Sequence, residues 1–171
     1  MRLLYVLRHA KSSWSDPDRR DDERPLAPRG RRATARLAAH LRREGIQPEL
    51  VLCSPARRTR ETLEGIKPAF VGKVGVRIED ALYGAGSDEI VELVRAVPDT
   101  VTAVMLVGHN PAIQSVVVQL AGGGDPTVLE RLRTKFPTGA LASLAVPTAS
   151  WRELDRRRAR LIGFVVPREL T

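Results

Sequence analysis

Leu3-Leu4-Tyr5-Val6-Leu7-Arg8-His9 is the stretch on which the fold turns. An unbroken apolar run of this length reads as a buried strand, and it stops on a guanidinium and an imidazole. In an open α/β sheet the ends of such strands form the edge where ligands bind. The same design recurs further along. Leu50-Val51-Leu52-Cys53 runs into Ser54-Pro55-Ala56-Arg57-Arg58, and Val104-Met105-Leu106-Val107 runs into Gly108-His109-Asn110-Pro111. If these ends meet, Arg8, His9, Arg58 and His109 form a cationic pocket suited to phosphate.

The rest of the chain fits an alternation of strands and helices. The spacing predicts strands over 3–8, 50–53, 74–78, 102–107, 138–146 and 159–166. Helices are predicted over 28–44, 54–65, 87–97, 111–120 and 126–133. Ser54 and Pro55 read as the N-cap and first residue of the second helix. Gly45 and the run Gly122-Gly123-Gly124 read as helix stops, and 149–158 as a turn or short helix. Residues 10–27 carry no periodicity and read as a long loop, a length that is often functional. Nothing divides the chain, so one domain over 1–171 is expected, with a mostly parallel central sheet flanked by helices.

Composition narrows the class. The chain has 171 residues, 43% hydrophobic and only 4% aromatic, so its core is built from Leu, Val and Ala. Lys and Arg number 28 against 20 Asp and Glu, a net charge of +8. Such a field attracts anionic substrates. The lone cysteine, Cys53, excludes an internal disulfide and a multi-cysteine metal site. No apolar run approaches the roughly 18 residues of a membrane-spanning helix. The apolar run at the start is too short for a signal peptide and is broken by Arg8. A cytoplasmic protein with no membrane partner is expected.

The pocket residues suit phosphoryl transfer. A neutral imidazole at His9 can attack phosphorus and carry the phosphoryl group covalently. Arg8, Arg58 and His109 can neutralise the phosphoryl oxygens. The helix that follows Ser54 adds its partial positive end. Each residue also has a plainer reading: Arg8 as a buried ion-pair partner, the Gly108-His109-Asn110 segment as a strand-to-helix turn, Arg57 and Arg60 as a solvated helix face. His40 lies mid-helix and takes no role.

Four segments together resemble the histidine phosphatase superfamily, with its phosphoglycerate-mutase-like three-layer α/β/α fold, and within it the SixA-type phosphohistidine phosphatases. They are Val6–Trp14 (VLRHAKSSW), Glu23–Gly30 (ERPLAPRG), Cys53–Thr62 (CSPARRTRET) and Leu106–Pro111 (LVGHNP). The resemblance implies His9 as nucleophile, Arg8 and Arg58 on the phosphoryl group, His109 as the second pocket histidine and Thr62 as a supporting hydroxyl. It implies no metal or cofactor. It also implies a phosphorylated protein of the histidine-phosphotransfer type, or a small phosphorylated molecule, as partner. The chain departs from the family in placing Ala10 where the Arg-His motif is usually followed by Gly, which is tolerable where that position does not need a positive φ. The general acid is less plain. Asp80, just before Leu82-Tyr83-Gly84, is the closest positional match, against a simpler role in capping or loop bonding.

Other classes are weighed against this one. A cysteine-dependent phosphatase would need Arg six positions after Cys53, where Thr59 stands. A mutase would have to shield its phosphoenzyme from water, which an open pocket does poorly. A nucleic-acid-binding module is suggested by Arg156-Arg157-Arg158-Ala159-Arg160 but lacks aromatic interleaving or a recognition motif. A phosphate sensor without catalysis would not need the complete set His9, Arg8, Arg58 and His109.

Overall fold

The computed structural model describes residues 1–171. The chain builds a seven-stranded sheet from β1 (Arg2–Arg8), β2 (Leu50–Cys53), β3 (Gly75–Ile78), β4 (Ala103–Gly108), β5 (Ala121–Gly123), β6 (Leu141–Val146) and β7 (Ala159–Val165). Six α-helices accompany them: α1 (Pro28–Glu44), α2 (Arg57–Ile66), α3 (Ala81–Gly84), α4 (Ser87–Arg95), α5 (Ala112–Leu120) and α6 (Pro126–Thr134). The strand order is β3-β2-β4-β1-β6-β7-β5. β6 pairs antiparallel with β1 and β7, and every other pairing is parallel. The mostly parallel α/β/α expectation therefore holds.

The apolar run of β1 explains its central place. Successive side chains on a strand point to opposite faces. Leu4 and Val6 enter one core cluster, with Ile90, Val91 and Val94 of α4 and Ile113, Val116 and Val117 of α5. Tyr5 and Leu7 enter the other, with Leu37 and Leu41 of α1 and Leu63 and Ile66 of α2. A strand buried on both faces must read as a continuous apolar run, because each face carries a helix layer. Burying each such side chain contributes about 1.5–3 kcal/mol. No helix is long and apolar enough to cross a membrane.

Three local readings change. Gly122 and Gly123 do not merely stop α5; Ala121–Gly123 pairs with β7 as the sheet's edge strand. A Cβ on Gly122 would lie 1.9 Å from the Arg157 carbonyl oxygen, so glycine is what admits the chain there. The strand expected from residue 138 begins at Leu141 instead. Gly139 sits at φ 76° and turns its N–H back onto the carbonyls of Arg8 and His9, at 3.1 and 2.9 Å. That turn fastens the end of β1 before β6 starts. Finally, α2 begins at Arg57 with Ala56 as its N-cap, so Ser54 lies two residues ahead of the cap position.

Candidate functional site

The strand ends meet as their sequences suggest. β1 and β4 lie side by side with Arg8 opposite Gly108, and β2 flanks β4 with Cys53 opposite Val107. His9, Ser54 and His109 are therefore the next residues along three adjacent strands. The rings of His9 and His109 lie 5.3 Å apart between centroids. Arg58 stands in the first turn of α2, buried to 7% exposure, and His9 is buried to 6%.

Each group is held in a defined state. Nδ1 of His9 donates to the carbonyl of Ala10 at 2.7 Å, since a carbonyl can only accept. That fixes the tautomer and leaves Nε2 with its lone pair free. The Ala10 N–H donates to Thr62 Oγ1 at 3.0 Å, and Thr62 donates on to the Arg58 carbonyl at 2.7 Å. One hydroxyl thus ties the residue after the nucleophile to the helix that carries the arginine. Arg157 is the only residue other than glycine with a positive φ, so Ala10 occupies a conformation that any residue adopts.

Ser54, expected as a helix cap, instead lies 2.8 Å from His109 Nε2. Its oxygen accepts the Ala56 N–H at 3.3 Å while its proton can go to the imidazole, the arrangement that suits a neutral His109. Nδ1 of His109 then carries the hydrogen, and it is buried without a partner. Nε of Arg8 and Nε of Arg58 are buried donors in the same condition. Buried donors without acceptors are costly in a folded protein. All three residues act electrostatically on His9, and an oxyanion bound beside it would give such donors a partner. Arg8 is steadied from behind by a 2.9 Å bond to the Phe136 carbonyl, which Asn110 also engages at 3.1 Å.

Burial, reinforced by the neighbouring cations, pushes the His9 pKa down to about 3. The same causes lower His109 to about 4. Both rings are neutral at pH 7, as a nucleophile and a directed donor require. The depressed value has a cost in acid. The unfolded chain takes a proton on His9 near pH 6.5, which the folded chain refuses until about pH 3. Stability therefore falls as pH drops below about 6.5, by about 2 kcal/mol at pH 5 from His9 alone. Thermal melts of wild type and His9→Ala at pH 7 and pH 5 check this. The variant should lose less than the wild type on acidification, and equal losses would refute the shift.

The carboxylate at the site is one that sequence reading missed. Residues 10–27 are not a bare loop. Ser12 bridges to Leu26, Leu26 N–H bonds Glu61 at 2.8 Å, and the Arg24 guanidinium stacks 3.5 Å over the Trp14 ring. The segment delivers Asp21 onto Arg58, which donates to its carboxylate at 3.0 Å and its backbone oxygen at 2.7 Å. Tyr83 donates to the same carboxylate at 2.5 Å and sets its ring edge-on to His109. The Tyr83 hydroxyl first, with Arg58 and Arg24, holds the Asp21 carboxyl down to about 2. Asp80 behaves differently. Its carboxylate is exposed at the start of α3 and bonds to none of the four pocket residues. The only signal for Asp21 was its place before Glu23-Arg24-Pro25, which carries no chemistry without the fold.

Cys53 is fully buried beside the site, and burial raises its thiol to about 12. No thiolate forms near neutrality. Cys53→Ser is expected to keep any turnover at this site within about twofold while losing about 1 kcal/mol of stability. Steady-state kinetics with a denaturation midpoint checks both, and a large loss of turnover in a folded variant would give the thiol a role.

The family model for the histidine phosphatase superfamily, branch 1, matches residues 4–84, which include His9, Arg8 and Arg58. An uncharacterized protein of Mycobacterium tuberculosis is 39% identical over 165 residues, covering 95% of this chain and all of its own length. Among solved structures, a protein assigned as a SixA phosphohistidine phosphatase from Nakamurella multipartitia superposes with a TM-score of 0.83 at 33% identity, covering 97% of this chain and 96% of its own. Its Agrobacterium tumefaciens counterpart gives 0.82, also at 33% identity, covering 97% and 98%. With the strand order, the paired histidines and the Arg8 and Arg58 guanidinium groups already in place, these likenesses put the chain in the histidine phosphatase superfamily, among its SixA-type members.

Proposed function

We propose that residues 1–171 act as one metal-independent phosphatase domain that works through a covalent phosphohistidine at His9, with phosphorylated protein histidine as its substrate. The carrying observation is the His9 ring: its Nδ1 is engaged by the Ala10 carbonyl, which leaves Nε2 free, and Arg8, Arg58 and His109, each with an unpartnered buried nitrogen, lie within electrostatic reach of it. In the first step Nε2 bonds to phosphorus as the bond to the leaving nitrogen breaks, and the substrate imidazole, protonated from solvent on its other ring nitrogen, departs neutral. Negative charge on the equatorial oxygens meets Arg8, Arg58 and the Nδ1–H of His109. The positive charge that His9 gains is spread toward the Ala10 carbonyl. In the second step water attacks phosphorus, the bond to His9 breaks, and inorganic phosphate leaves.

The missing acid bears on the substrate. An alkoxide leaving group gains about 10²–10⁴-fold from a positioned proton donor. Asp80, the donor suggested by the resemblance, is exposed and unattached to the site. Asp21 is ionised and committed to Arg58. An imidazole leaving group depends far less on such a donor, which favours a phosphoramidate over an ester. The SixA-type likeness supports the same choice.

Trapping tests the reading directly. Brief mixing with a ³²P-phosphohistidine protein in EDTA, then an alkaline quench, should leave label on the enzyme that is alkali-stable and acid-labile. Turnover without any labelled enzyme, or turnover that EDTA abolishes, would overturn it. A faster rate on p-nitrophenyl phosphate than on the phosphohistidine protein would move the substrate to small esters.

Asp21 competes with phosphate for Arg58. Asp21→Asn is expected to lower the inhibition constant of inorganic phosphate about two- to fivefold, the worth of an exposed ion pair. Competitive inhibition assays read this, and weaker phosphate binding in the variant would mean that the carboxylate assists the anion.

A further inference from the structure

A groove of about 770 Å³ opens between α1 and the end of α6. It lies at the same sheet edge as His9, over the start of β6, the strand next to β1, and the end of β7, the strand beyond it. Its wall is fastened to the site. Pro137 and Thr138 line the groove, and Gly139, the next residue, donates its N–H to the His9 carbonyl at 2.9 Å. Lys11, another lining residue, is two residues beyond His9, no more than about 7 Å along the chain.

The charge of the groove is one-sided. Lys11, Arg29, Arg36, Arg131, Lys135 and Arg168 line it against a single acid, Glu130. Of these six only Arg131 has an ion-pair partner, Glu169. Arginines elsewhere are divided between paired ones, such as Arg57 with Glu61 and Arg95 with Glu92, and single unpaired ones on open helix faces; the groove differs in gathering five unpaired cations into one concavity beside His9. Arg29 also sits in the first turn of α1, which holds no acidic residue, so it faces the positive end of the helix. Folding alone favours neither feature. Rules of local stability are broken in this way at sites that await a partner.

The position of the groove says what that partner presents. Imidazole is a short side chain. A carrier that inserts its phosphohistidine at His9 brings its own backbone over the mouth and its neighbouring surface over the groove. Covering unpaired cations with a neutral or basic surface would cost desolvation that nothing returns. Carboxylates there would repay it and speed encounter. Ala33, Phe164 and Val166 add an apolar floor.

We propose that this groove docks an acidic segment of the phosphoprotein substrate, flanking its phosphohistidine. The proposal rests on the His9 phosphatase reading and names the chemistry that its substrate must carry.

Two peptides of equal length, each with one histidine phosphorylated by phosphoramidate, test it. One carries glutamates around the histidine, and the other glutamines at the same positions. At low salt kcat/KM for the glutamate peptide should exceed the other by about tenfold, mostly through KM, the sum of a few exposed ion pairs. The preference should fade as salt rises. In Arg36→Glu/Lys135→Glu/Arg168→Glu it should vanish or reverse, while p-nitrophenyl phosphate turnover stays within about twofold. The corresponding triple Gln variant should lie between the two and guards against misfolding of the first. Equal rates on both peptides, with turnover still dependent on His9, would overturn the docking proposal and leave the phosphatase reading standing. So would a preference that survives charge reversal. Tripolyphosphate inhibition that needs the same three residues, with the peptides not distinguished, would assign the groove to a polyphosphorylated small molecule. A wild-type enzyme inactive on both peptides and on p-nitrophenyl phosphate would remove the phosphatase reading, and this proposal with it.

Discussion

His9→Ala is expected to abolish turnover, by at least about 10³-fold in kcat, because it removes the atom that carries the phosphoryl group rather than one that steadies it. The fold should survive. The His9 side chain bonds only locally, to the Ala10 carbonyl, its backbone bonds to Gly108 and Gly139 survive the substitution, and losing a ring that is buried neutral removes an acid-sensitive group. The variant also keeps Arg8, Arg58 and His109, so its donors still face the pocket. Inorganic phosphate or tungstate should therefore still bind, with an affinity within about tenfold of the wild type. That pairing of dead chemistry with intact anion binding is the signature of a missing nucleophile. Single-turnover assays and anion titration by calorimetry read it. Residual turnover above a hundredth of the wild-type rate would place the nucleophile elsewhere.

Arg58→Ala should give the second-largest effect, about 10²–10³-fold in kcat/KM, the worth of one aimed donor on a developing oxyanion. The loss should appear in both kcat and KM, since the guanidinium meets the phosphoryl oxygens in the bound and transition states. Phosphate binding should weaken in parallel, unlike in His9→Ala. Arg58→Lys should recover only a small part, because an ammonium cannot reproduce the two-pronged geometry. Asp21 loses its partner in the alanine variant, yet it is exposed on one side and retains Tyr83 and Arg24. The stability cost should accordingly be small, about 1 kcal/mol or less. An Arg58→Ala enzyme with near-normal kcat/KM would mean that Arg8 and His109 suffice, and that Arg58 serves Asp21 alone.

The sequence alone was enough for six of the seven strands and for the expectation that Arg8, His9, Arg58 and His109 gather at their ends. Residues 3–7, 50–53 and 104–107 are apolar without a break, and only a strand covered on both faces requires that. Their chemistry-bearing residues come directly after the strands, so register alone sets Arg8 and His9 beside His109 and close to the start of α2. Both the period of the strand and the end of the run are local properties, visible along the chain. What the tertiary structure decided lies where a side chain's partner is remote. Ser54 looked like a helix cap because capping is the commonest use of Ser before Pro; its bond to His109 spans 55 positions. Asp21 looked like one acid in a charged loop until the Ser12–Leu26 bridge folded that loop across Arg58. The groove shared by α1, α6 and the tail of β7 exists only because the sheet order places β6 beside β1 and β7 beside β6. Hydrophobic periodicity records which face of an element is buried. It does not record which polar groups meet across the sheet edge, because that depends on where distant segments end once the core has packed.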